Sequence, residues 1–266
     1  MRLGLSSAAA PDAPLSELLA ACARRGLATL ELEEGHGHGL EPGLRSLAAP
    51  RDAAARIEAA GVSLAGFRVA RGSTARLPGS AAGATEEDAA DAATWARFAR
   101  ALGAPALVPL HGPVDRRAAL ALRRAGVPVL GILPPDPFAD PALASLVDPG
   151  SEGLPLAWDA DGAVTDLDVV APRLLDRAGA RLRHIRIPGG GPESAGREGL
   201  GVGTLAARLA LAGYAGTVAL APSSARFRVV WDAWLGRRGG WGCGSAGEDR
   251  SLVSLGARTE RRDGVA

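Results

Sequence analysis

Four histidines, several carboxylates and a few arginines carry the chemistry this sequence can do. Glu31, Glu33 and Glu34 close one apolar segment and lead into Gly-His-Gly-His-Gly, with His36 and His38. Asp159 follows Trp158, and His184 and Arg186 alternate with isoleucines in His-Ile-Arg-Ile. Ser6, Arg68, His111, Asp136 and Ser223 also stand at or just beyond the ends of apolar segments. Carboxylates and imidazoles in such positions can hold a divalent cation or move protons. His111 and Asp159 are the candidate metal ligands and, with His184, the candidate proton carriers; Glu33, His36 and His38 are candidates for touching the substrate. Arg186, Arg197 and the glycines at 199, 201 and 203, ahead of Thr204, offer a different chemistry. A guanidinium fork and open backbone N–H groups at a helix start hold an anion. A purely structural account also exists: His184 as a packed side chain, Asp159 as a turn cap, Gly-His-Gly-His-Gly as a mobile loop and the arginines as solvated surface.

Composition removes other chemistries. The chain has no Lys, Asn or Gln, and all 30 basic residues are Arg. Schiff-base catalysis, pyridoxal-phosphate anchoring and a phosphate-loop lysine are excluded. Cys22 and Cys243 are too far apart in sequence to suggest a disulfide framework or a metal motif. A formal net charge of +1 gives no reason to expect nucleic acid or an anionic membrane. With no signal-peptide pattern and no apolar run of spanning length, a cytoplasmic protein is expected.

The elements that would position these residues repeat about every 30 residues. Strands are expected at 2–6, 28–33, 62–69, 105–110, 127–133, 154–158, 182–187 and 216–221. Helices are expected at 16–25, with Ser16 as N-cap and Gly26 as stop, and at 50–60. Further helices are expected from Thr85 through the long acidic-to-basic run, then at 115–125, 141–147, 167–178, 205–212 and 225–235. The strands read as apolar runs rather than strict alternators, as when helices cover a parallel sheet. Eight such repeats predict a single-domain (β/α)8 TIM barrel over 1–236. An open doubly wound sheet would need a glycine fingerprint in the first turn, and Ser-Ser-Ala-Ala-Ala-Pro has none. Residues 237–266, rich in Gly, Arg and Ser, are expected to form a disordered or loosely docked tail.

The opening Met-Arg-Leu-Gly-Leu-Ser-Ser, the Trp158-Asp159 pair, the His-Ile-Arg-Ile strand and the Gly-Tyr-Ala-Gly-Thr-Val-Ala-Leu-Ala-Pro-Ser-Ser ending occur in a familiar order. In that order they resemble the xylose-isomerase-like TIM-barrel superfamily, over residues 1–235. The resemblance implies a sugar or sugar-phosphate isomerase/epimerase, with a small sugar or sugar phosphate as partner. It also implies a divalent metal (Zn, Mn, Mg or Co) held by a Glu after strand five, an Asp after strand six, a His or Gln in strand seven and a Glu after strand eight. Only Asp159 matches that set. Residues 132–134 offer no acid, Arg186 stands at the strand-seven position and Ala221 at the strand-eight position. Two expectations follow. Either an altered site, rebuilt from His111, Asp159 and His184, works on a sugar; or a non-catalytic barrel has lost the metal and binds a carbohydrate or anion, with Arg186, Arg197, Gly201 and Gly203 as contacts.

Overall fold

In a computed structural model, eight parallel strands close on themselves in chain order. The structure describes residues 1–42, 46–69, 86–110, 113–148, 153–160, 167–188 and 209–221. The strands are β1 (Arg2–Ser6), β2 (Thr29–Glu33), β3 (Ser63–Arg68), β4 (Ala106–Pro109), β5 (Val129–Leu133), β6 (Leu156–Asp159), β7 (Leu182–Pro188) and β8 (Thr217–Ala221). Six helices follow the first six strands: α1 (Leu15–Arg25), α2 (Ala48–Ala59), α3 (Glu86–Leu102), α4 (Pro113–Arg124), α5 (Pro141–Val147) and α6 (Leu167–Ala178). Residues 209–211 are helical and lead into β8, in keeping with the helix expected at 205–212. The helix expected at 225–235 and the tail at 237–266 lie outside the described residues. No described helix is long and apolar enough to cross a membrane.

The (β/α)8 barrel predicted from the repeat is thus present. Strand β1 pairs with β2 on one side and with β8 on the other, which closes the ring. Local signals hold at several boundaries. Gly26 ends α1 in the left-handed conformation (φ 60°), and its N–H returns to the Ala23 and Cys22 carbonyls. Asp140 caps α5 through its side chain. One expected cap fails: α1 begins at Leu15, behind Pro14, so Ser16 lies inside the first turn and no side chain caps that end.

The expectation of uniformly apolar strands also needs correction. Strand side chains alternate between the barrel axis and the surrounding helices. Outward residues such as Leu30, Leu32, Phe67, Trp158, Ile185, Ile187, Val218 and Leu220 join the main core with α1 to α6. The inward set is divided. Leu107, Leu130, Ile132 and Ala157 make a small apolar cluster of their own on the β4–β6 side. On the β1, β2, β7 and β8 side the buried set is polar: Ser6, Thr29, Glu31, His184 and Thr217. Strands β4 and β5 read as apolar runs because both faces are apolar; β2 is a strict alternator because its inward face is not, and β7 alternates in the same way from His184 to Ile187.

Candidate functional site

The polar side of the barrel leads to a cluster of charged groups at the carboxyl ends of the strands. Strand register fixes its members. Glu33 lies opposite Arg68 between β2 and β3, and Asp159 lies opposite Arg186 between β6 and β7. Arg68 then reaches across to Asp159. Its Nη1 donates to Oδ1 at 3.0 Å and its Nη2 to Oδ2 at 2.5 Å. Arg186 donates to the same carboxylate through Nε, 3.1 Å from Oδ1, and Nη2, 3.5 Å from Oδ2. Its Nη1 donates to Glu33 Oε2 at 3.2 Å. Arg68 Nε stands 3.8 Å from the same Glu33 oxygen. One carboxylate therefore serves two guanidiniums, and a second carboxylate completes the ring.

Burial makes this arrangement more than surface decoration. The Arg68 side chain is 6% exposed, and those of Asp159 and Arg186 are 14% and 16%. A charge so placed is tolerated only when paired and hydrogen-bonded. Burial favours the neutral form of Arg68, but the Asp159 charge and hydrogen bonds, with Glu31 and Glu33, outweigh it and hold the proton more firmly than usual.

Below this ring lies a second, fully buried set. Glu31 Oε1 accepts from the Ser6 hydroxyl at 2.8 Å, and Oε2 accepts from His184 Nε2 at 2.6 Å. His184 Nδ1 faces Thr217 Oγ1 at 2.7 Å. Burial alone would raise the Glu31 carboxyl, but the His184 hydrogen bond and the charges of His184, Arg186 and Arg68 bring it down to about 2. Glu31 is therefore held as an anion at neutral pH, with both oxygens engaged by Ser6 and His184. Four residues from four strands form one chain: Ser6, Glu31, His184, Thr217.

The loop after β2 is also built rather than loose. His38 Nδ1 accepts from the Leu40 N–H, so its Nε2 carries the proton and donates to the Glu33 carbonyl at 2.8 Å. That ring is the neutral tautomer, and burial holds it below the usual imidazole range. The Ser7 hydroxyl accepts from the Glu33 N–H at 2.9 Å and lies 2.8 Å from His36 Nδ1, to which its one hydrogen can go. Gly37 N donates to the Pro11 carbonyl, and a Cβ at Gly37 would come within 2.4 Å of the Asp12 carbonyl oxygen. The segment Gly-His-Gly-His-Gly is thus strapped to the loop after β1.

Of the sequence candidates, Glu33, Asp159 and Arg186 meet in one ring, and His184 lies directly beneath them. His36 and His38 stand on the adjoining loop with Ser7 and the Glu33 backbone as partners, and neither bonds Asp159. His111, Arg197, Gly201 and Gly203 lie outside the described residues. Arg68, Glu31, Ser6 and Thr217 had no assigned role, although Ser6, Glu31 and Arg68 stood among the strand-end residues. The signal for one of them was available: in Thr-Leu-Glu-Leu-Glu, residues two apart share a face, so Glu31 must accompany Glu33.

The described residues do not fit a divalent cation. Such an ion needs several oxygen or imidazole donors aimed at one point. Asp159 spends both oxygens on arginine, Glu31 spends both on Ser6 and His184, and a guanidinium projects from the strand-seven position. At the end of β5, Ile132 belongs to the apolar inner cluster, and β8 ends in a buried Ala221. Among the described residues, no group of three or more His, Cys, Asp or Glu side chains could hold a metal ion.

The closed ring of eight parallel strands places the chain in the class of (β/α)8 barrels. Its structure is similar to 3-keto-D-glucoside 4-epimerase from E. coli, with TM-score 0.57, 16% identity, and coverage of 89% of this chain and 99% of that one. It is similar to D-psicose 3-epimerase from Clostridium cellulolyticum H10, with TM-score 0.57, 15% identity, and coverage of 84% and 85%. A xylose isomerase domain protein from Planctomyces limnophilus gives TM-score 0.56 at 15% identity, covering 89% and 95%. Neither protein-family models nor curated protein sequences give a match. The shared property is the fold.

Proposed function

We propose that this barrel binds a small sugar, or a closely related polyhydroxylated molecule, at its carboxyl-end mouth, and that it does so without the divalent metal that the family resemblance implies. The observation that carries the reading is the double engagement of Asp159 by Arg68 and Arg186. A cationic side chain stands where the family resemblance would put a metal ligand, and it already neutralises the one matching acid. Guanidinium groups fixed at the carboxyl ends of the strands are well suited to paired sugar hydroxyls, since a guanidinium presents parallel donors in a rigid fork. Neutral sugars or sugar phosphates fit the class; Arg186 has donors to spare for either, because its guanidinium carries five N–H groups and three are bonded here.

The test is calorimetric titration of the purified full chain with hexuloses, hexulose phosphates and the corresponding polyols, before and after chelator treatment, with elemental analysis of the untreated protein. Saturable sugar binding that survives chelation, with far less than one metal per chain, supports the reading. One tightly bound equivalent of metal, or sugar binding abolished by the chelator, overturns it.

A second reading, catalysis of sugar isomerisation or epimerisation, is favoured by one contact. Glu33 and Arg186 sit 3.2 Å apart, a carboxylate beside a cation. Proton abstraction next to a carbonyl requires a base and a positive group for the developing oxyanion. Incorporation of solvent deuterium at a carbon-bound position of a bound sugar, lost in Glu33→Gln, would select this reading over binding alone.

A further inference from the structure

The far end of the barrel holds a second candidate site. A cavity of about 580 Å³ opens at the amino ends of the strands. That volume falls within the range of small-ligand sites. Its walls combine leucines from the starts of β3, β5 and β7 (Leu64, Leu130, Leu182) with Leu175 of α6, Pro105 and the 212–216 turn. Two side chains in the lining carry charge, Arg2 and Arg183, and no acid is among them. Among the described residues no carboxylate pairs with Arg183, and the Tyr214 phenol stands in the same wall. The turn is shaped around that phenol. The Tyr214 hydroxyl donates to the Thr217 carbonyl at 3.2 Å, and a Cβ at Gly216 would stand 2.3 Å from the hydroxyl oxygen and 2.5 Å from the Arg183 carbonyl oxygen.

We propose that this amino-end cavity binds a small organic anion with an apolar body, of the kind a short-chain carboxylate represents. The leucine walls supply burial for the body at about 25 cal/mol per Å² of apolar surface. Arg183 and Arg2 supply charge-assisted hydrogen bonds for the head, and no acid in the lining competes for them. A cation would meet only like charge. A strongly hydrated anion without an apolar part would leave the leucine walls unfilled. Thr217 lines the cavity and also hydrogen-bonds His184, so the site shares one hydroxyl with the buried chain that ends at Glu31.

Tyr214 is the only tyrosine of the chain, so 3-fluorotyrosine incorporation places a single fluorine-19 label in the cavity wall. The labelled full chain is titrated with hexanoate, and separately with hexanol, hexylamine and inorganic phosphate. Hexanoate is expected to move the resonance saturably, and the Arg2→Ala/Arg183→Ala variant to weaken that binding by about ten-fold or more. Hexanol, hexylamine and phosphate are expected to bind more weakly than hexanoate. Both arginines are exposed, so the variant should fold; Arg183→Gln is the milder replacement if it does not. The proposal is overturned if hexanoate gives no saturable shift, if hexanol or phosphate binds as tightly, or if the arginine variants bind hexanoate unchanged.

Discussion

Asp159 accepts hydrogen bonds from Arg68 through both carboxylate oxygens, at 3.0 and 2.5 Å, while Arg186 approaches the same two oxygens from the neighbouring strand. The consequence is electrostatic as much as geometric. Two guanidiniums set into the end of a barrel repel each other, and the carboxylate between them is what lets both remain. Glu33 shares the remaining charge, 3.2 Å from Arg186.

Replacing Asp159 by Ala should therefore be costly. It leaves two largely buried cations with one carboxylate at the edge of the ring. Breaking a buried ion pair from one side costs about 3 kcal/mol or more. Urea denaturation should show a loss of that order, and an Arg68→Met/Asp159→Ala double variant should recover part of it, because the stranded Arg68 charge is gone. A loss below about 0.5 kcal/mol in the single variant, the range of ordinary surface substitutions, would show that the ring contributes nothing to the folded state.

Glu31 sets a pH dependence with a definite sign. Its carboxyl is held at about 2, below its ordinary 4.5. A carboxyl lowered on folding contributes stability above its unfolded value, and that stability is lost as pH falls toward the folded one. The window is therefore about pH 5 down to pH 2, and the contribution at stake is about 3 kcal/mol at 1.36 kcal/mol per unit. Glu31→Gln should be less stable than the parent at pH 7, and the gap should narrow steadily as pH falls through that window. Thermal or urea unfolding at each pH checks it; parallel curves from pH 7 to pH 2 would contradict the assignment.

The barrel was legible in the sequence because its signal repeats: eight apolar segments with helices at a constant spacing need no single boundary to be right. Glu33, Asp159, His184 and Arg186 were legible because strand ends in a barrel converge whatever the detail of the loops. What the sequence did not show is partnership. Arg68 and Asp159 are 91 residues apart and Glu31 and His184 are 153 apart, and neither pair lies on adjacent strands. Contacts across a barrel depend on its closure and on side-chain reach, which spacing along the chain does not encode. The split of the inner wall into an apolar and a polar half was hidden for the same reason. Each strand looks ordinary alone, and only their arrangement puts Leu107, Leu130, Ile132 and Ala157 together.

Gly37 tests whether the histidine loop serves the site. A Cβ there would press against the Asp12 backbone at 2.4 to 3.1 Å, and no side-chain rotation relieves a contact with main chain. Gly37→Ala should displace the loop from its strap on Pro11, carrying His36 and His38 with it. The stability cost should be about 1–2 kcal/mol, typical of a single unfavourable substitution. Sugar affinity at the mouth should fall more than stability does, at least several-fold, when measured by the same calorimetric titration. Gly35→Ala is the useful companion. It meets no neighbour within 4 Å but sits at φ 83°, so it strains the backbone without pushing on Asp12. Equal losses of affinity in both variants would mean that loop conformation in general, rather than the Asp12 contact, matters for the mouth.

Divalent metals give a comparison that needs no substitution. A folded barrel with a ready metal site is stabilised by RT ln(1 + [L]/Kd), about 2.7 kcal/mol at a hundred-fold excess over Kd. For a chain of this size each kcal/mol raises the melting temperature by about 2–4 °C, so a competent site would show a rise of several degrees. With Asp159 held by two arginines and Glu31 held by Ser6 and His184, the described groups have no carboxylate oxygen of either residue left to give. Millimolar Mg, Mn or Co salts should therefore move the melting temperature by less than about 1 °C after correction for ionic strength, on the same linkage argument. A saturable rise of several degrees with Mn or Co, reversed by chelator, would show that a cation can displace Arg186 from Asp159, and would overturn the metal-free reading of the mouth.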